Sequence, residues 1–159
     1  MSVRIQEYKD KLAASRQYLD KILDQVGDRW YVQVYADGAA WNVGQLLTHL
    51  MDTERGQANV IMACVRGELL VPEDFDVDRY NRRVTEKLAG VTPQEARATL
   101  TDLRETLYDW LDAIDESALD MMGRHASLAM LPVSKLLDIM AAHERSHAND
   151  IANVLALTA

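Results

Sequence analysis

The stretch His143-Glu144-Arg145-Ser146-His147 places two histidines four residues apart. On an α-helix, residues four apart lie one turn above each other on the same face, so both imidazoles would project together. This spacing allows two nitrogen ligands to share one divalent metal ion. The same letters match H-E-x-x-H, the zinc-protease motif in which the glutamate is the general base. The stretch therefore allows three interpretations: a protease, another kind of metal site, or two ordinary histidines.

The residues around this stretch predict a long amphipathic helix that begins at Pro132. Its proposed buried stripe consists of Val133, Leu136, Leu137, Met140, His143, His147, Ile151, Val154 and Leu155. Since the histidines are in phase with Met140 and Ile151, we expect them to face the interior of the protein. Burying an imidazole without a partner costs about 1–3 kcal/mol, so two of them together need a shared partner.

Three further segments have the pattern of long amphipathic helices: residues 3–26, residues 42–67 and residues 92–114. Asn42 and Gln45 predict a capping box at the start of the second segment. Thr92 and Glu95 predict another capping box at the start of the third, with a proline at the first helical position. The connection between these two segments is long, and residues 77–89 within it could hold a short helix.

No segment shows convincing strand alternation, and no internal repeat is visible. Four long helices with one extended middle connection predict an all-α, up-down four-helix bundle. The length of 159 residues suits one domain with a sizeable core, so we expect residues 1–159 to form a single domain.

Charge and hydropathy narrow the classes of partner. The net charge of −8 argues against nucleic acid, because phosphate binding requires a basic face. The longest uncharged apolar run, Val60 to Val65, is too short to span a membrane. Cys64 is the single cysteine, so no intramolecular disulfide forms, and we expect it to be a small buried apolar residue. The N-terminal residues lack a signal-peptide pattern, which predicts a cytoplasmic protein.

A third histidine supports the metal interpretation. His49 is in phase with Leu46, Leu50 and Thr53 on the predicted second helix. Three inward-facing histidines on two helices can give one metal three nitrogen ligands and leave positions open for water or substrate. Such an open site favours catalysis or ligand capture over a structural metal.

The protease interpretation fails on its context. Those enzymes take a third ligand downstream, either a histidine six residues on or a glutamate on a later helix, and position 153 is Asn. Glu144 is also rotated by about 100° from His143 around the helix. We therefore expect Glu144 either to flank the metal or to form an ordinary solvated or interhelical charge.

Two segments and their spacing resemble the DinB/YfiT-like superfamily of metal-binding four-helix bundles. They are residues 41–50, Trp-Asn-Val-Gly-Gln-Leu-Leu-Thr-His-Leu, and residues 143–151, His-Glu-Arg-Ser-His-Ala-Asn-Asp-Ile. The resemblance implies a divalent metal, often zinc or nickel, held by His49, His143 and His147. It also implies a homodimer in many members, and in some a thiol-dependent transferase or isomerase that uses mycothiol or bacillithiol. Asp150 departs from the pattern, since many members carry Gln there.

The leading hypothesis is a metal- and thiol-dependent S-transferase that acts on small electrophiles. A metal-dependent hydrolase and a non-catalytic metal- or small-molecule-binding dimer remain open as alternatives. The candidates for a catalytic carboxylate are Asp52, Glu54 and Glu144, and those for binding an anionic thiol are Arg79, Arg82 and Arg83. We expect Trp41 to be a packing residue and His125 to be a loop residue outside the site.

Overall fold

A computed structural model describes residues 2–158. Within these residues there are five α-helices: α1 (Val3–Leu23), α2 (Val43–Val65), α3 (Val77–Lys87), α4 (Pro93–Ala113) and α5 (Val133–Leu155). Two short strands, β1 (Met122–Arg124) and β2 (Met130–Pro132), precede α5. Single turns of 3-10 helix occur at Arg29–Tyr31 and Glu116–Asp120. The four long helices confirm the predicted bundle, and α3 lies in the middle connection.

Local sequence signals account for where the helices begin. Asn42 and Gln45 form the predicted capping box at the start of α2, with the Gln45 N–H donating to Asn42 Oδ1 over 2.8 Å. Thr92 and Glu95 form the second predicted box at the start of α4. Each box satisfies backbone N–H groups that have no partner inside the helix.

The long middle connection changes the direction of the chain. One apolar cluster joins the end of α1, the start of α2, the start of α4 and the end of α5. A second cluster joins the opposite ends of the same helices. The helices therefore run up, down, down and up, and do not alternate strictly, because the connection through α3 returns the chain to the end of the bundle where α2 began.

A layer of buried charged side chains separates the two apolar clusters. Arg104 on α4 donates from Nε to Glu54 Oε1 over 2.8 Å, and its Nη2 lies 3.3 Å from Glu144 Oε2. Arg16 on α1 pairs with both glutamates, and Ser15 donates to Glu144 Oε1 over 2.6 Å. Two positive and two negative charges thus balance across α1, α2, α4 and α5.

The hairpin of β1 and β2 corrects the expectation that no strand is present. Its strands have three residues each, which is too short for apolar alternation to show in the sequence. Gly123 packs tightly against the bundle, since a Cβ there would lie 3.1 Å from the Cβ of Cys64 and 3.2 Å from Leu136 Cδ1. The hairpin is therefore held at one end of α2 and α5.

Among residues 2–158, no helix combines the length and the apolar character that crossing a bilayer requires.

Candidate metal centre

Three histidine side chains converge between α2 and α5. The Nε2 atoms of His49 and His143 lie 3.3 Å apart, and those of His147 and His143 lie 3.1 Å apart. Two nitrogen ligands placed about 2.0–2.1 Å from a tetrahedral metal are separated by about 3.3–3.4 Å. The geometry of the three rings therefore fits a single divalent metal ion bound through Nε2.

The other ring nitrogens have partners that favour this arrangement. His147 Nδ1 lies 2.7 Å from the hydroxyl of Tyr35, which also donates to Asp150 Oδ2. His49 Nδ1 lies 3.4 Å from Thr53 Oγ1. Because Tyr35 donates its proton to Asp150, we assign the His147 proton to Nδ1, which leaves the lone pair of Nε2 directed towards the other histidines.

Burial keeps the three rings neutral near pH 7. It lowers the pKa of His49 to about 3, and the neighbouring His143 and His147 lower that pKa further. Burial likewise lowers the pKa of His143 to about 4. The pKa of His147 is also lowered by burial, which outweighs the opposing effect of Asp150. Neutral imidazole is the form that binds metal, so the site needs little deprotonation before binding.

Trp41 contributes to the site in addition to packing. Its ring stacks on His49 with 4.2 Å between the centroids and 28° between the planes. Its Nε1–H donates to Thr85 Oγ1 on α3 over 2.9 Å. The His49 ring is thus held on one face by Trp41 and at its edge by the partners of its nitrogen atoms.

The face that the histidines occupy differs from the prediction. On α5 the interior stripe consists of Leu137, Met140, Glu144, Ala148 and Ile151, all buried. His143 and His147 lie on the adjacent face and are half-buried. They line a cavity beside the bundle core, and the interior position between them belongs to Glu144.

The cavity has a volume of about 620 Å³ and lies between α2, α5, the α3 region and the hairpin. This volume falls in the range typical of small-molecule sites. Its apolar wall includes Val60, Ile61, Leu70, Val71, Phe75, Val77, Leu136 and Ile139. All three histidines lie on its wall, so a metal bound there would be accessible to a small molecule.

The three candidate catalytic carboxylates have different surroundings. Asp52 lines the cavity one turn beyond His49, and its Oδ2 accepts a hydrogen bond from the Tyr80 hydroxyl over 2.8 Å. Glu54 and Glu144 are outside the cavity wall, in the buried charged layer with Arg104. Burial alone would lower the pKa of Arg104, but the two glutamates raise it. The structure therefore places Glu54 and Glu144 away from the cavity wall as partners of Arg104, and Asp52 is the candidate carboxylate that lies on the wall.

The three candidate arginines do not line the cavity. Arg79, Arg82 and Arg83 are exposed on α3 and are absent from the cavity wall. The arginine that lines it is Arg124 of the hairpin, followed by His125, which was expected to lie outside the site. Arg124, His125 and Tyr35 lie in a loop or in the very short hairpin. The sequence has no helical or strand periodicity there that would predict the direction of their side chains.

Comparison with known proteins supports this architecture. YfiT from Bacillus subtilis, described as a probable metal-dependent hydrolase with an unusual four-helix bundle topology, superposes with a TM-score of 0.75. The match covers 99% of this chain and 91% of that chain at 13% identity, so it establishes a shared fold. No curated protein sequence matches this chain. The sequence profile of the DinB superfamily matches residues 11–151, and the chain therefore belongs to the DinB superfamily.

Proposed function

We propose that this protein is a metal-dependent hydrolase that holds a divalent metal ion, such as zinc or nickel, through His49, His143 and His147. The observation that supports this most directly is the convergence of three Nε2 atoms on the wall of a cavity that also contains a carboxylate. A divalent metal with an open position lowers the pKa of a bound water or thiol and so supplies a nucleophile at neutral pH.

In this proposal Asp52 is the general base. It lies three residues after His49 on α2, which places both side chains on one helix face. The Tyr80 hydroxyl donates a hydrogen bond to Asp52 Oδ2. Asp52 Oδ1 lies 4.0 Å from Arg55 Nη1, which is beyond hydrogen-bond distance. Oδ1 can therefore accept a proton. Burial and the bond to Asp52 raise the pKa of Tyr80 to about 12, so its hydroxyl stays protonated and orients the carboxylate.

The description of YfiT as a probable metal-dependent hydrolase agrees with this proposal. The apolar wall of the cavity suits a small substrate with a hydrophobic part. Thiol-dependent transfer is the second candidate function. The position of Arg124 on the cavity wall favours this second candidate, because a guanidinium binds carboxylates such as that of a low-molecular-weight thiol.

Turnover with and without a thiol distinguishes the two candidates. The metal-loaded protein is assayed with p-nitrophenyl esters alone, and then with a low-molecular-weight thiol and chlorodinitrobenzene. We expect ester hydrolysis without thiol, its loss in His147→Ala, and a decrease of about 10²–10⁴-fold in Asp52→Asn with the metal retained. Turnover that requires the thiol would favour the transferase, and an Asp52→Asn variant with unchanged rate would exclude Asp52 as the base.

A further inference from the structure

We infer that Arg124 and His125 form an anion-binding subsite at the hairpin end of the cavity, and that the ligand of this cavity is an amphipathic monocarboxylate. The role of this ligand as a substrate rests on the proposed function, whereas its binding does not. The inference depends on four features: the position of the hairpin, the pairing of Arg124, the tautomer of His125 and the distribution of charge along the cavity.

The hairpin lies far along α2 from the acidic side chain of the cavity. Gly123, the residue before Arg124, packs against Cys64. Cys64 lies twelve residues beyond Asp52 on the same helix, which corresponds to a rise of about 18 Å. Of the residues that line the cavity within the described part of the chain, Asp52 and Arg124 are those charged at neutral pH. The backbone positions of these opposite charges are therefore well separated along the cavity.

Arg124 can accept an additional anionic partner. Its Nη1 donates to the carbonyl of Val71 over 2.8 Å, which fixes the guanidinium against the 70–75 loop. Its other contact is with Glu73, whose Oε1 lies 3.4 Å from Nη2 and whose side chain is 88% exposed. A guanidinium has five N–H donors, and an ion pair with so exposed a carboxylate contributes little. A ligand carboxylate can therefore replace Glu73 without loss of the bond that anchors the arginine.

His125 adds a neutral donor beside this charge. Its Nδ1 accepts a hydrogen bond from the backbone N–H of Ser127 over 3.1 Å and lies 2.8 Å from the Ser127 hydroxyl. The proton of the neutral ring is therefore on Nε2, so that Nε2–H is the donor that His125 brings to the cavity wall. Burial lowers the pKa of His125 and keeps the ring in this neutral form.

The remainder of the cavity determines the rest of the ligand. Apart from its polar and charged residues, the wall of the cavity is formed largely by apolar side chains from α2, α5 and the 70–77 segment. This surface favours an aliphatic or aromatic body, while in the metal-free protein Asp52 repels a second carboxylate at the histidine end. A ligand with one anionic group at Arg124 and an apolar remainder therefore matches both ends of the cavity.

The test compares octanoate, octanol and octylamine by titration calorimetry on chelator-treated protein and on His49→Ala. We expect octanoate to bind about tenfold or more tightly than octanol, and octylamine to bind more weakly than either. Arg124→Gln, which removes the charge and keeps an amide donor, should weaken octanoate about tenfold and leave octanol within about twofold. Arg83→Gln, the same change at an exposed position of α3, should alter neither.

Three results would overturn the inference: equal affinity for octanol and octanoate in the wild type, an octanoate affinity unchanged by Arg124→Gln, or octanoate binding that appears only after metal is added. The last would mean that the carboxylate binds to the metal. If Arg124→Gln fails to fold, the three ligands are compared on the wild type and on Arg124→Lys instead. Arg124→Lys retains the positive charge, so it should retain the preference for octanoate. Because these titrations contain no metal, they can succeed or fail independently of the proposed metal site.

Discussion

The hydroxyl of Tyr35 lies 2.7 Å from Nδ1 of His147, although Tyr35 belongs to the loop before α2 and His147 to α5. The same hydroxyl donates to Asp150, one turn beyond His147. The loop, the histidine and the carboxylate thus form one chain of hydrogen bonds that holds the ring with Nε2 towards the other two histidines. Outer partners of this kind fix the orientation of metal ligands in proteins.

Tyr35→Phe should therefore weaken metal binding without unfolding the protein. It removes the hydroxyl that holds His147 and keeps the aromatic ring. We expect the metal affinity to fall by about 10–100-fold, measured by competition with a chromophoric chelator. Tyr31→Phe is the matched control, since Tyr31 is 74% exposed and should be replaceable without effect. Equal affinities for the two variants would show that Tyr35 does not orient the ligand.

Arg104→Met tests the buried charged layer. The change leaves Glu54 and Glu144 without their buried partner on α4, and breaking a buried ion pair in this way costs about 3–5 kcal/mol. Urea unfolding should show a loss of this size in the free energy of unfolding. Arg97→Met on the same helix removes only ion pairs with the more exposed Asp20 and Asp24, so its cost should stay below about 1 kcal/mol. Similar costs for both variants would contradict the structural role of the layer.

The stability of the metal-free protein should depend on pH in a defined direction. The unfolded chain binds a proton at each histidine near the ordinary pKa of 6.5, whereas the folded protein resists protonation of His49 until about 3 and of His143 until about 4. The free energy of unfolding is therefore highest well above pH 6.5 and decreases as the pH falls towards 4. Well below pH 6.5, where the unfolded chain is fully protonated at these positions, each histidine should contribute a slope approaching about 1.4 kcal/mol per pH unit.

Urea unfolding of the chelator-treated protein at pH 5 and pH 6.5 measures this slope. His143→Gln removes one titrating group, so its average slope between these two pH values should be smaller than that of the wild type by about 1 kcal/mol per pH unit. A variant with the same slope as the wild type would mean that His143 is not protected from protonation in the fold.

Much of the helical frame could be predicted because its signals are local. The capping boxes at Asn42 and Thr92 each need only residues close in sequence, and both are present. The i,i+4 spacing of His143 and His147 is equally local. The family resemblance was likewise confirmed, since its profile covers residues 11–151.

The features that were missed depend on contacts between distant parts of the chain. On α4, Arg104 is in phase with Leu100, Leu107 and Leu111, which signals a buried charge, but its partners on α2 and α5 cannot be read from that spacing. On α5 the histidines were predicted to face the interior because they are in phase with Met140 and Ile151, and that pattern does not reveal that Glu144 is buried. Glu144 is buried because Arg16 on α1 and Arg104 on α4 reach the same layer. The role of Tyr35 likewise follows only from the docking of its loop on α5.

The metal content of the purified protein tests the central claim most directly. Elemental analysis of wild type, His49→Ala, His147→Ala and the control His125→Ala, all prepared without chelators, gives the number of divalent ions per chain. The three-histidine geometry predicts about one ion per chain in the wild type and in His125→Ala, and close to none in the other two variants. A wild type without stoichiometric metal, or His49→Ala and His147→Ala proteins that retain theirs, would contradict it.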